Sequence, residues 1–213
     1  MKIVEDIPQR RRSDVPGTND PVLQSLEKYW QALRHAQRIP SRNDIEPSQI
    51  DRALPHAFIL QRVAPGIARM RVAGQQLHDL LKMDARGMPI STFFVPDARD
   101  QLAGLIEAAF TEPAIICAPL TSPGSLVRPS LTGNMMLLPL RDDKGETSRI
   151  LGAIVTDGPA STRPRRFAIT EGAMIRHDTL GLQLASVQSI PRVPTEKRPD
   201  AQRPALKLVV NNG

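Results

Sequence analysis

The sequence is poor in aromatic residues and in cysteine. Aromatic residues make up 3% of the 213 positions, so a folded core must be built mainly from aliphatic side chains and the seven methionines. The single cysteine, Cys117, excludes an intramolecular disulfide framework and a zinc site made of several cysteines. So little cysteine fits a reducing compartment, and we therefore expect a cytoplasmic protein.

The chain also lacks long apolar runs. None approaches the roughly 18 residues of a membrane-spanning helix, and the first residues lack the apolar core of a signal peptide. We therefore expect no membrane span. The formal net charge of +6 permits binding to nucleic acid or anionic lipid without requiring either. Part of this excess lies near the ends, where solvated charge is the simpler interpretation: Arg10, Arg11, Arg12, Arg163, Arg165 and Arg166.

No group of residues has the spacing of a catalytic or metal site. Cys117 lies in an apolar β-type segment, where a thiol is normally inert, and Asp142 and Asp143 have the character of turn residues. The chain has no glycine-rich phosphate loop. The histidines are scattered: His35, His56, His78 and His177. We therefore predict a protein that is not an enzyme, with no catalytic residues and no metal ligands.

The N-terminal part divides into an arm and a helix. Residues 1–19 are polar and without periodicity, which predicts a flexible arm. Asp20-Pro21 is a strong helix start, and apolar residues at helical spacing predict a leading helix over residues 22–38. Its apolar stripe either covers its own domain or pairs with a second subunit. The candidate dimer-interface residues are Val22, Leu26, Tyr29, Trp30 and Leu33.

The middle of the chain alternates between β-type and helical segments. Two β-type segments precede a helical block and three follow it: Ala57–Val63, Arg69–Ala73, Ala114–Leu120, Ser130–Leu140 and Ser148–Thr156. Asp142, Asp143 and Gly145 predict a hairpin between the last two. Alternate polar residues in Arg69–Ala73 indicate an antiparallel sheet covered on one face. We expect an α+β fold with a five-stranded antiparallel sheet and helices on one face.

The C-terminal part, residues 161–213, is a basic and proline-bearing extension. Phe167–Ile169 is a candidate short strand, Gly172–Ser186 has a weak helical pattern, and Ala205–Val210 is β-type. We therefore expect one domain over residues 20–160 with the leading helix included.

The predicted sheet and helices would enclose apolar side chains. These form either a filled core or a cavity for a small hydrophobic ligand. The ligand-pocket candidates are Phe58, Leu60, Met70, Val72, Leu77, Leu80, Phe93, Leu102, Ile106, Met136 and Leu138.

Several short motifs occur in a fixed order along the chain. They are Tyr29-Trp30, Arg38-Ile39-Pro40, Arg42-Asn43-Asp44-Ile45, Leu54-Pro55-His56, Val72-Ala73-Gly74-Gln75-Gln76-Leu77 and Gly152-Ala153-Ile154. Together they resemble a family of bacterial single-domain PAS proteins over roughly residues 22–158. The resemblance implies a five-stranded antiparallel sheet and a sensory or protein-interaction module that often dimerises through a helix flanking the sheet.

The resemblance also bears on function. It implies a non-enzymatic regulator that acts by homodimerisation and contact with a protein partner, with a small hydrophobic ligand as an option. His78 lies near where some PAS domains bind haem or a flavin, and haem ligation is the alternative to a hydrogen-bonded histidine. A flavin photoreceptor of this fold would need a reactive cysteine in the helical block, and Cys117 lies in a strand. We predict no cofactor. The alternative function is a nucleic-acid-binding regulator that uses the basic terminal arms, which have almost no aromatic residues for readout.

Overall fold

The computed structural model describes residues 19–125, 128–160 and 162–180. All of them belong to the first of two units, Met1–Leu182. The predicted N-terminal arm, the β-type run Ala205–Val210 and most of the C-terminal extension lie outside the described residues.

The described residues form three α-helices and several short 3-10 helices. The α-helices are α1 (Pro21–Ala32), α2 (Gln75–Leu81) and α3 (Arg99–Thr111). The 3-10 helices are His35–Gln37, Arg42–Asp44, Pro47–Ile50, Ile90–Phe93 and Pro96–Ala98.

Seven strands of the described residues form one sheet. They are β1 (Ala57–Ala64), β2 (Ile67–Ala73), β3 (Ala114–Ser122), β4 (Leu131–Arg141), β5 (Thr147–Thr156), β6 (Ala168–Ile169) and β7 (Arg176–Thr179). The order is β2-β1-β5-β4-β3-β6, β7 also pairs with β3, and all these pairings are antiparallel. The α+β prediction of five antiparallel strands is confirmed, and two short strands extend the sheet.

The two added strands lie beyond residue 160. β6 agrees with the short strand predicted at Phe167–Ile169. The weak helical pattern over Gly172–Ser186 was misleading, because Arg176–Thr179 forms β7 instead. β7 pairs with Ala114–Cys117 of β3. An edge strand with unpaired backbone groups binds extended chain strongly, and this pairing overrides a weak helical preference.

Helices cover both faces of the sheet. One face packs against α2 and α3 in what we call the α3-side core, which includes Phe58 and Leu60. The other face packs against α1 in the α1-side core, which includes Ile59. Neighbouring strand residues enter different cores because side chains alternate across a strand. The polar residues of β2 led us to expect helices on one face only. That expectation therefore holds only at the edge of the sheet, where β2 lies.

A local cap begins the leading helix α1, and the apolar stripe of the helix then packs on the sheet. The Asp20 carboxylate accepts hydrogen bonds from the backbone N–H groups of Val22 (2.8 Å) and Leu23 (3.0 Å). Leu26 and Trp30 are fully buried in the α1-side core. The Trp30 indole N–H donates to the carbonyl of Pro139 in β4 (3.0 Å). The stripe thus covers its own domain.

The helix ends earlier than the periodicity predicts. α1 stops at Ala32 rather than at residue 38, and Ala36 has a φ of 50°. The chain turns back because Arg141 holds the following segment: its backbone N–H donates to the carbonyl of Pro40 (2.8 Å) and its Nε to that of Ile39 (2.7 Å). A tertiary contact therefore ends the helix before Pro40 does.

The hairpin between β4 and β5 follows the turn chemistry of its sequence. The Asp142 carboxylate accepts hydrogen bonds from the backbone of Lys144 (2.9 Å) and from the hydroxyl of Ser148 (2.6 Å). The Ser148 bond is the main reason that the pKa of Asp142 is lowered. Gly145 has a φ of 83°, which favours glycine. The predicted hairpin is confirmed.

Gly152 offers a test of the packing between β1 and β5. A β-carbon at this position would clash with Cε2 and Cζ of Phe58 and lie 2.7 Å from the Met136 carbonyl oxygen. We expect Gly152→Ala to lower the free energy of unfolding by about 1–3 kcal/mol through overpacking, measured by urea denaturation. The control is Gly104→Ala in α3, where an added β-carbon meets nothing within 4 Å. It should raise stability by roughly 0.5–1 kcal/mol. Equal effects of both substitutions would contradict this packing.

Candidate functional site

The structure divides the predicted pocket residues among three places. Eight are buried in the α3-side core: Phe58, Leu60, Met70, Leu77, Leu80, Phe93, Leu102 and Ile106. Met136 and Leu138 belong to the α1-side core on the other face of the sheet. Val72 is 43% exposed at the edge. The eleven residues are therefore not gathered in one place. Phe58 and Val72 line a cavity at the edge of the sheet, and binding by any of the eleven stays a prediction.

The placement of Met136 and Leu138 corrects the predicted phase of β4. Met135 and Leu137, their neighbours, enter the α3-side core instead. The strand is buried continuously from Met135 to Leu140. A strand buried on both faces has no polar alternation, so its sequence does not reveal which side chains share a face.

A β-bulge explains the placement of Val72. Leu60 pairs with Met70, while the preceding Ile59 pairs with Val72, so Arg71 is an extra residue in β2. Such a bulge reverses the facing of the residues beyond it. Val72 therefore shares the side of Ile59 rather than that of Met70.

A cavity of about 320 Å³ lies at this edge of the sheet. Segment 42–55 forms one wall, and strands β1, β2 and β5 form the other. Its lining is almost wholly apolar, with Arg42 and Gln75 as the polar side chains. The main apolar lining residues are Ile45, Ile50, Leu54, Ile59, Val72 and Leu151.

Most of these lining residues were missed in the sequence. Ile50 and Leu54 have the spacing of an inward-facing turn, which was the one available signal. Ile45 and Leu151 carry no such signal, because they meet only after segment 42–55 has folded against β5.

The wall formed by segment 42–55 is attached to α1 through Tyr29. The Tyr29 hydroxyl donates to the carbonyl of Asp44 (3.2 Å) and accepts from the backbone N–H of Glu46 (2.8 Å). Asp44 in turn closes a capping box with Ser41, whose backbone N–H donates to the Asp44 carboxylate (2.7 Å). The hydrogen bonds of Tyr29 thus join this wall of the cavity to α1.

His78 does not fit the role of a haem ligand. Its Nδ1 accepts a hydrogen bond from the backbone N–H of Ala85 (3.0 Å), so Nε2 carries the proton and donates to the carbonyl of Ala73 (3.1 Å). Ligation of iron by either nitrogen would break one of these bonds. Among the described residues, no group of three or more His, Cys, Asp or Glu side chains is arranged to hold a metal ion.

A flavin in the α3-side core would compete with the Phe58 ring, which occupies the space beside Gly152. Cys117, the single cysteine, lies in β3 on the α1 side of the sheet. It pairs across the sheet with Met136 and Arg176. The sequence prediction of no cofactor stays a prediction.

The Cys117 thiol is held in its protonated form. Burial raises its pKa to about 12, and the nearby charge of Arg176 offsets this only in part. Arg176 is itself bound through two hydrogen bonds of 2.7 Å to Glu27 of α1. The thiol therefore lacks the thiolate character that a nucleophile or redox sensor needs.

We expect Cys117 to resist thiol reagents in the native protein at pH 8. Its thiolate fraction should be on the order of a thousandfold below that of a free cysteine. Labelling with iodoacetamide, followed by mass spectrometry, measures the rate with and without denaturant. In the control variant Val63→Cys, the new cysteine replaces a residue that is 55% exposed and should be labelled readily. Fast native labelling of Cys117 would contradict the burial.

The family to which the fold belongs follows from a sequence comparison. A family model described as a PAS domain matches residues 18–155. The chain belongs to the PAS domain family. Membership confirms the resemblance found in the sequence and supports a sensory or regulatory role for this PAS domain. No helix among the described residues is long and apolar enough to cross a membrane.

The solved structures that the chain matches include light-oxygen-voltage domains. An RNA-binding Light-Oxygen-Voltage receptor is 15% identical with a TM-score of 0.37, and the match covers 55% of this chain and 35% of that receptor. The dark structure of the blue-light photoreceptor Aureochrome1 LOV is 16% identical with a TM-score of 0.39, covering 57% and 89%. The chain thus spans about a third of the receptor's length. No curated protein matches the sequence.

Proposed function

We propose that this PAS protein is a non-enzymatic, cytoplasmic sensor that binds a small hydrophobic molecule in the β1–β2 edge cavity and signals through α1. The observation that carries the proposal is the apolar cavity of about 320 Å³ with one wall hydrogen-bonded to α1. Signalling would reach a protein partner by contact. The alternative of nucleic-acid binding by the terminal arms depends on residues outside the described part of the chain.

The lining of the cavity indicates the class of ligand. Its volume lies at the lower end of the range of about 300–1,000 Å³ typical of small-molecule sites. Ile45, Ile50 and Leu151 offer only apolar contact. Arg42 and Gln75 can bind one polar group and so orient the molecule. A small ligand with an apolar body and a single polar end matches this lining.

The hydrogen bonds of Tyr29 provide the coupling. A ligand that fills the cavity presses on Ile45 and Ile50, and Tyr29 connects this segment to α1. Binding would thereby favour one of two positions of α1 over the other. Since Trp30 anchors the buried side of α1, the partner would contact the solvent-facing side of this helix.

Substitution at the open edge of the cavity tests ligand binding. Native mass spectrometry of the purified protein should show a retained small molecule, and Val72→Trp should remove it by filling the cavity. The control is Val63→Trp, which introduces the same side chain at an exposed position of β1 that does not line the cavity. We expect affinity for the extracted molecule to fall about tenfold or more in the Val72 variant alone. Equal binding by both variants would refute the site.

The homodimer is a second element of the proposal. Of the five candidate residues, Leu26 and Trp30 are buried inside the chain and are not accessible to a second subunit. Val22, Tyr29 and Leu33 are half-buried and remain the apolar part of the α1 surface. We propose that a second copy packs on this remainder.

Multi-angle light scattering tests the dimer. We expect the protein to be dimeric and Leu33→Glu to weaken association, because a carboxylate would be desolvated at the interface. The cost should be about 2 kcal/mol, or roughly 30-fold in the dissociation constant. Gln31→Glu adds the same charge at an exposed position of the same helix and serves as the control. A monomeric wild-type protein would refute the dimer proposal. It would not affect the proposal that the cavity binds a ligand.

A further inference from the structure

A second cavity, of about 630 Å³, is lined by arginines. It lies between the first residues of β4 and the segment that follows β5. Arg128, Arg163 and Arg165 contribute to its lining, and Asp157 is its acidic residue. We call this cavity the arginine cleft. Arg128 and Arg165 place two guanidinium groups in its lining against the single carboxylate of Asp157.

Arg165 is the most unusual residue of the arginine cleft. It is 3% exposed, and its Nη1 donates to the carbonyl of Pro129 (3.0 Å). Its Nε is buried without a hydrogen-bond partner among the described residues. No carboxylate of the described residues forms an ion pair with it. A buried charge without a counter-ion is costly, which indicates that an anion belongs beside it.

Arg128 adds a second positive charge near Arg165. Its two terminal nitrogens donate to the carbonyls of Pro164 (3.1 Å) and Pro123 (3.3 Å), which fix its position without neutralising its charge. Burial, and secondly the charge of Arg128, lower the pKa of Arg165. The Asp157 carboxylate accepts a hydrogen bond from the Thr132 hydroxyl (2.5 Å) rather than from an arginine.

We infer that the arginine cleft binds a small molecule through a phosphate monoester group. Guanidinium groups bind phosphate oxygens with charge-assisted hydrogen bonds. Arg165 is nearly inaccessible, so the phosphate must reach it as a terminal group rather than as a diester within a polymer. The cleft is larger than the apolar cavity and holds the remainder of such a molecule. This site shares no lining residue with the apolar cavity, so the inference does not depend on the proposed function.

Calorimetric titration with inorganic phosphate and with a nucleoside monophosphate tests the site. Ionic strength is matched with sodium chloride, so that screening of charge affects every sample equally. The wild-type protein should bind the monophosphate, and Arg165→Met should weaken binding at least about tenfold by removing a charge-assisted hydrogen bond. Arg52→Met removes the same charge from an exposed turn outside the cleft, and it should bind like the wild type.

A second variant provides a result even if Arg165→Met does not fold. Arg163 lines the cleft and is exposed, so Arg163→Met should fold and bind the monophosphate several-fold more weakly. Absence of binding by the wild type would overturn the inference, as would equal affinity in the wild type and both cleft variants. Binding of a short RNA without binding of the monophosphate would also overturn it, because the cleft would then recognise a polymer.

Discussion

The central contact of this fold is the packing of α1 on the second face of the sheet. It completely buries Leu26 and Trp30 and joins α1 to β4 through the Trp30 indole. A sheet with both faces covered needs apolar residues on both sides of its central strands, and β4 and β5 have them. Without α1, Met136 and Leu138 would be exposed to water.

This contact also places the apolar cavity. Because α1 is anchored on the sheet, Tyr29 can hold segment 42–46 at a fixed distance from β1. The cavity is the space left between that segment and the edge strands. The cavity thus lies at the β1–β2 edge, where Ile59 of the α1-side core and Phe58 of the α3-side core both line it. Most of the predicted pocket residues lie deeper, in the α3-side core. Under our proposal, a signal from the cavity would have a short path into α1.

The two cavities differ in physical character. In our proposals, a ligand of the apolar cavity would bind by removing apolar surface from water, which requires no charge. The arginine cleft differs, because the charged Arg165 is already buried there. Under the two proposals, two chemically different ligands would bind to one sheet at separate places.

Features that depend on neighbours in the chain were predictable. The Asp20 cap and the Asp142 turn need only a short side chain beside its own backbone, so local sequence determined both. The order of strands β1 to β5 and of the helices between them likewise followed from periodicity, whereas β7 did not. Site geometry was not predictable in this way: the bulge at Arg71 reversed the facing of Val72, and continuous burial hid the phase of β4.

Local sequence patterns were thus enough to identify the family, the antiparallel hairpin and the start of the leading helix. The end of α1, the face that it covers and the positions of the cavities depend instead on tertiary contacts. The reason is that these properties arise from contacts between residues far apart in the chain, such as Trp30 with Pro139 and Arg141 with Ile39. Such contacts leave no periodic trace in either segment.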